Sequence, residues 1–139
     1  MTEHLGGCKI LELPLVEDAR GALTFIQSCE QVPFTIERVF YLYRTGLGSK
    51  RGEHAHAQLQ LMLIALNGCL DVVLDDGNRQ ERVRLTRPSE GLYIPPMIWH
   101  TVENLSPGAV CLALASARFD EADYYRDYNA FRAVARSPR

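Results

Sequence analysis

Three histidines, His54, His56 and His100, are the side chains best suited to chemistry in this sequence. His54 and His56 are two apart, with the small Ala55 between them. Residues two apart on an extended strand project from the same face, so these imidazoles address one space. An unperturbed imidazole titrates near pH 6.5 and can accept and return a proton at neutral pH. Paired rings suit a reaction that only relocates protons, such as enolisation beside a carbonyl, which also needs donors for the enolate oxygen. Tyr41, Tyr43 and Tyr93 are phenols of the right type, and equally ordinary packing aromatics. A metal is the competing use. Oxygen-activating iron sites require a carboxylate beside two histidines. Here Gln58 and Gln60 are weak neutral ligands, and Glu53 falls on the opposite strand face. Three histidines alone still suffice for zinc with a water in the fourth position.

The elements that must hold these residues are short and β-rich. Candidate strands are Cys8–Leu13, Leu23–Gln27, Ile36–Arg44, Glu53–Ala57, Leu61–Asn67, Cys69–Leu74, Gln80–Leu85, Leu92–Ile94, Thr101–Asn104 and Val110–Ala115. Turn chemistry separates them at Asp18-Ala-Arg-Gly21, Gly46-Leu-Gly48, Pro88-Ser-Glu-Gly91 and Ser106-Pro-Gly108. Asn67-Gly68 and Asp76-Gly77 suit tight hairpins with positive φ. Many short strands at turn-sized intervals predict an all-β sandwich or barrel. Beyond them, Tyr124, Tyr128 and Phe131 are spaced four and three apart, which predicts one face of a helix over Asp120 to Val134, capped by Asp120.

Size and composition set the frame. A chain of 139 residues, 47% hydrophobic, is expected to form a single domain over residues 1–139 with a substantial core. The net charge of −2 gives no general attraction to nucleic acid or anionic membrane, so an anionic ligand must meet local arginines. The N-terminus carries no signal-peptide pattern, and the apolar run Leu59 to Leu66 is too short to span a bilayer. Cys8, Cys29, Cys69 and Cys111 are far apart without a CxxC pair, which reads as reduced thiols in a cytoplasmic protein.

Gly48-x5-His54-x-His56-x4-Leu61-x6-Gly68 resembles the first cupin motif, and Pro95-x-Met97-x2-His100-x3-Asn104 the second. Leu61 occupies the slot of the usual ligating Glu, and Met97 that of a usual Gly. The resemblance implies a cupin jelly-roll barrel closed by a short C-terminal helix, with histidines free for acid–base work and no required metal. Longer strings sharpen it: Arg38-Val-Phe-Tyr41, Arg51-Gly-Glu-His-Ala-His56, Leu74-Asp-Asp-Gly77, Gly91-Leu-Tyr-Ile-Pro-Pro-Met-Ile-Trp-His100, Leu114-Ala-Ser116 and Tyr125-Arg-Asp-Tyr-Asn-Ala-Phe131. From about Asp18 to Phe131 the chain resembles the dTDP-4-oxo-6-deoxyglucose 3,4-ketoisomerases, the FdtA/QdtA-like sugar ketoisomerase cupins. It departs from them at Ala57 and Leu61, where relatives carry Lys and Gln, and at Leu105, where they carry Phe.

That resemblance implies a homodimer that needs no cofactor and acts on a dTDP-linked 4-keto-6-deoxyhexose. His54 would abstract the C3 proton, His56 would share the proton shuttle, and the carbonyl would move to C3. Arg51 and Arg38 are the implied anion-binding residues, since a guanidinium forms paired bonds to phosphate oxygens. Tyr41 is an implied donor to the sugar. Arg20 and His100 are expected to line the same cavity, Trp99 is equally suited to stacking on the ligand or to packing as a buried core indole, and Arg20 with His100 leans toward a product of galacto configuration. Two alternatives stay open: a 3,5-epimerase on the same nucleotide sugar, and a sugar-nucleotide-binding cupin without turnover.

Overall fold

The structure, a computed structural model, describes residues 2–136. Its elements are β1 (Thr2–Glu3), β2 (Lys9–Glu12), β3 (Leu15–Asp18), β4 (Gly21–Thr24), β5 (Arg38–Leu42), β6 (Arg51–His56), β7 (Leu61–Asn67), β8 (Leu70–Asp75), β9 (Gln80–Leu85), β10 (Glu90–Ile94), β11 (Trp99–Glu103), β12 (Val110–Ala115), β13 (Tyr124–Tyr125) and α1 (Tyr128–Ala135). A six-stranded sheet runs β1-β2-β10-β7-β12-β5, and a five-stranded sheet runs β13-β6-β11-β8-β9. Strand pairing within both is antiparallel, and the two sheets face each other as the expected cupin jelly roll.

Alternation explains how the sheets close. Leu61, Leu63 and Ala65 of β7 join Leu70, Val72 and Leu74 of β8 in the core between the sheets. Met62 and Ile64 point the other way, into a second cluster with Leu13, Val32, Phe34 and Leu114. β7 is therefore covered on both faces, and its sequence is a continuous apolar run for that reason.

Three local expectations need correction. Asn67-Gly68 does not join paired strands: β7 and β8 lie in different sheets, and the turn carries the chain between them. Asp76-Gly77 does lie between paired strands, but the loop spans four residues, with Asp76 Oδ1 accepting from the amides of Asn78 and Arg79. The predicted helix over Asp120 to Val134 is divided. Asp120 caps a short 3-10 turn at Glu121–Asp123, Tyr124 and Tyr125 pair as a strand with β6, and only then does α1 begin under the cap of Asp127. Tyr128 and Phe131 keep the predicted helical spacing, with Phe131 wholly buried, whereas Tyr124 belongs to the sheet. No helix among the described residues is long and apolar enough to cross a membrane.

Candidate active site

β6 and β11 bring the histidines together. His54 pairs directly with His100, and His56 follows two residues along β6 on the same face. Ring centroids are 4.8 Å apart for His54–His56, 4.9 Å for His54–His100 and 5.6 Å for His56–His100. One nitrogen from each of the three can lie within 4.8 Å of the others. His100 sits 3.2 Å from the carbonyl of Ile98 through Nδ1. A carbonyl only accepts, so Nδ1 carries the proton and Nε2 is left as an acceptor. The turn before β11 is fastened to β6 by the Met97 amide, which donates to the His56 carbonyl at 2.7 Å. Met97 holds φ 64°, the left-handed conformation for which the usual Gly would be suited.

A bulge adds Arg51 to the same face. His100 pairs with His54, yet Val102, two residues on, pairs with Arg51, three residues back. β6 thus contains one extra residue, and Gly52, at φ 71°, supplies the backbone conformation that such a bulge requires. On a regular strand Arg51 and His54 would face opposite ways; here both line the cavity.

The cavity opens between the sheets with a volume of about 250 Å³. Arg38, Phe40 and Leu42 of β5, Arg51, Gly52 and His54 of β6, and His100 and Val102 of β11 form much of its wall. His56 lies behind them, buried, 4.5 Å from the Tyr124 ring. Burial keeps the imidazoles uncharged. His54 is pushed down to about 3, first by desolvation and then by His100, Arg126 and Arg38. His56 falls to about 2 by desolvation and the neighbouring histidines, and His100 to about 4 by desolvation, partly opposed by its bond to Ile98. Neutral imidazole is the form that accepts a proton and also the form that binds metal. A metal held here would have three nitrogen ligands, because the position of the fourth is the buried, cavity-lining Leu61.

Three expected site residues lie elsewhere. Tyr41 is three residues from Arg38 on the regular strand β5, so it faces outward, 59% exposed, with its ring 5.8 Å from Tyr43. Trp99 adjoins His100 and for the same reason points to the outer face of β11, against Tyr128 at 5.3 Å and Phe131 at 5.7 Å. Arg20 is at the tip of the β3–β4 hairpin, exposed and paired with Asp18 at 2.6 Å, away from the histidine cavity of its own chain.

The segment after β12 supplies what sequence reasoning missed. Phe119, Tyr124 and Arg126 line the cavity. Arg126 lies over the Tyr124 ring at 4.5 Å and bonds to Glu121 at 2.6 and 2.9 Å. Arg38 donates to the Tyr124 hydroxyl at 3.2 Å. The signal for a break in the tail was a second capping aspartate, Asp127, whose carboxylate accepts from the Ala130 amide.

Comparison with known proteins agrees with this geometry. The family described as FdtA: WxcM-like, C-terminal matches residues 6–136. The TDP-4-oxo-6-deoxy-α-D-glucose-3,4-oxoisomerase of Aneurinibacillus thermoaerophilus is 40% identical over 124 residues, 89% of each chain. Among solved structures, the sugar 3,4-ketoisomerase QdtA of Thermoanaerobacterium thermosaccharolyticum, in complex with TDP, superposes with a TM-score of 0.93 at 34% identity, covering 95% of this chain and 96% of its own. The TDP-quinovose 3,4-ketoisomerase WlaRB of Campylobacter jejuni gives 0.89 at 41% identity, covering 93% and 99%. The chain belongs to the FdtA-like family of sugar 3,4-ketoisomerase cupins and is an isomerase.

Proposed function

We propose that the protein converts dTDP-4-keto-6-deoxyglucose into the dTDP-3-keto-6-deoxy isomer by moving protons between C3 and C4 on histidine. The observation that carries this reading is a cavity-facing, uncharged His54 backed by His56, with Leu61 in the slot where a metal-binding carboxylate would stand. His54 removes the C3 proton, the electron pair moves into the C4 carbonyl, and the resulting enediol is reprotonated at C4. His56 accepts or returns the proton through its contact with His54. Arg51 and Arg38 face the same cavity and suit the diphosphate. His100 offers Nε2 beside the sugar position, which supports delivery at C4 to give the galacto product; a product NMR spectrum with gluco geometry would overturn that assignment.

The same reading includes a homodimer and a cytoplasmic setting. Leu15, Val16 and Leu23 on the β3–β4 hairpin are more than half exposed, and a groove of about 430 Å³ lies between that hairpin and Ile64, Leu66 and Leu112. Apolar surface of this kind is matched by a second copy. The four cysteines are free thiols, as expected in a reducing compartment.

Incubation with dTDP-4-keto-6-deoxyglucose in deuterated buffer tests the reaction. The isomerase moves the carbonyl to C3 and incorporates deuterium; exchange at C3 and C5 without carbonyl movement would indicate an epimerase, and no exchange a binding protein. His54→Asn abolishes turnover if the base is correctly assigned, and full activity in that variant sinks the assignment.

A further inference from the structure

Tyr124 carries the phenol that reaches the histidine cavity; the other candidate phenols are committed elsewhere. Tyr41 and Tyr43 are exposed and paired with each other outside the barrel, and Tyr93 donates to Gln60 at 2.7 Å. The Tyr124 ring lies 4.9 Å from His54 and 4.5 Å from His56, and backbone pairing of Tyr124 with His56 and of Tyr125 with Ala55 fixes its strand against β6. Its oxygen accepts a hydrogen bond from Arg38 Nη1 at 3.2 Å. A guanidinium has donors only, so the phenol must be the acceptor in that bond and its own proton remains available to another oxygen. Arg38 is itself held over the rings of Phe40 and Phe119, at 4.5 and 5.2 Å, so the positive charge beside the phenol is fixed.

We propose that Tyr124 is a catalytic acid–base residue, working on the sugar oxygens while His54 works on the carbons. This rests on the ketoisomerase reading above and deepens it. As His54 takes the C3 proton and the C4 carbonyl gains the electron pair, the Tyr124 hydroxyl donates its proton to O4. The phenolate left behind faces the Arg38 guanidinium. When the C3 carbonyl forms, the O3 hydroxyl returns a proton to Tyr124, and the imidazole delivers a proton to C4. The balance closes: C3–H and O3–H are lost, C4–H and O4–H are gained, and the phenol and imidazole end as they began. One residue can serve both oxygens because they are on adjacent carbons.

Tyr124→Phe tests the assignment, since it retains the ring against both histidines and removes only the hydroxyl. Loss of one donor to a developing oxyanion lowers kcat about 100-fold to 1,000-fold. Affinity for thymidine diphosphate, measured by calorimetry, should remain that of the wild type, and deuterium entry at C4 of the product should fall with turnover. Wild-type kcat in Tyr124→Phe would overturn the proposal while leaving the ketoisomerase reading intact. So would a loss of thymidine diphosphate affinity as large as the loss of turnover, which would make Tyr124 a binding residue. Wild-type protein that binds the nucleotide sugar without converting it would overturn the ketoisomerase reading first, and this proposal with it. Fluorotyrosine incorporated at position 124 keeps the hydroxyl and makes it more acidic. The alkaline limb of the kcat profile should then move to lower pH; an unmoved limb counts against the proposal even if Tyr124→Phe is unstable.

Discussion

A histidine that stays uncharged to about pH 3 behaves differently from a free imidazole. The acid limb of kcat/KM, which reports the free enzyme, is expected well below pH 6.5, toward the depressed value of His54. A pH–rate profile checks this, and an inflection at 6.5 would contradict it. Gly52→Ala is expected to destabilise by about 1–3 kcal/mol in a urea melt, because φ 71° strains any side chain. Its methyl would make only ordinary contact with His100 at 3.7 Å and His54 at 3.8 Å, so the cost lies in the backbone conformation and not in a clash. Chelator treatment should leave activity unchanged, whereas restoration of chelated enzyme by zinc or iron would return the three imidazoles to a metal-binding role. The pairing of His54 with His56 on one face was legible from spacing, whereas Arg38 was reached only through the family resemblance. Strand alternation places Tyr41 and Trp99 outside the cavity of their own chain: a residue three from Arg38 or adjacent to His100 on a regular strand must face away from it. Arg51 breaks that rule only through the bulge, and the glycine that makes the bulge possible was visible in the sequence without its effect being readable.

Barrel strands such as β7, β8, β9 and β12 were predictable because their apolar patterns and bounding turns agree. The tail was not, because Tyr124, Tyr128 and Phe131 satisfy a helical period that only the last two use. What divides them is tertiary: the edge of β6 is open, and pairing Tyr124 and Tyr125 with it satisfies backbone groups on both segments. The helix is then pinned by Tyr128, which donates to the buried Asp75 at 2.8 Å, and by Phe131 packed on Trp99 and Tyr125. Asp75 also accepts from the Gly77 amide and from Gln80, so Tyr128→Phe removes one of three donors and is expected to lower stability by about 1–2 kcal/mol. Phe131→Ala is expected to lower it by about 3–5 kcal/mol. Thermal melts measure both, and an unshifted midpoint for Phe131→Ala would mean that α1 does not seal the sheet.

Acid stability belongs to the molecule as a whole. Below pH 6.5 the unfolded chain protonates His54, His56 and His100, while the folded chain keeps them neutral until about pH 3, 2 and 4. Stability therefore falls as pH drops through this window, by at most about 1.4 kcal/mol per pH unit for each ring. His56→Asn should make the decline shallower in urea melts at pH 5 and 7; an equal or steeper decline would contradict the neutral assignment. The proposed homodimer would bury the hairpin surface, so Leu23→Asp should shift the light-scattering mass toward the monomer, and a wild type already monomeric would remove that interface. Neither the exposure of the β3–β4 hairpin nor the place of Phe119, Tyr124 and Arg126 in the cavity is a local property, which is why the sequence patterns of those segments did not reveal them. The irregularity in β6 has a consequence of its own. Flattening the bulge with the residue count unchanged would let Arg51 and His54, three apart, face opposite ways, turning the guanidinium out to solvent, whereas excising the extra amino acid would leave the two on one face. Charge and base on this wall are thus coupled by the backbone conformation at Gly52 as well as by residue type, and a change that irons out the bulge should separate them.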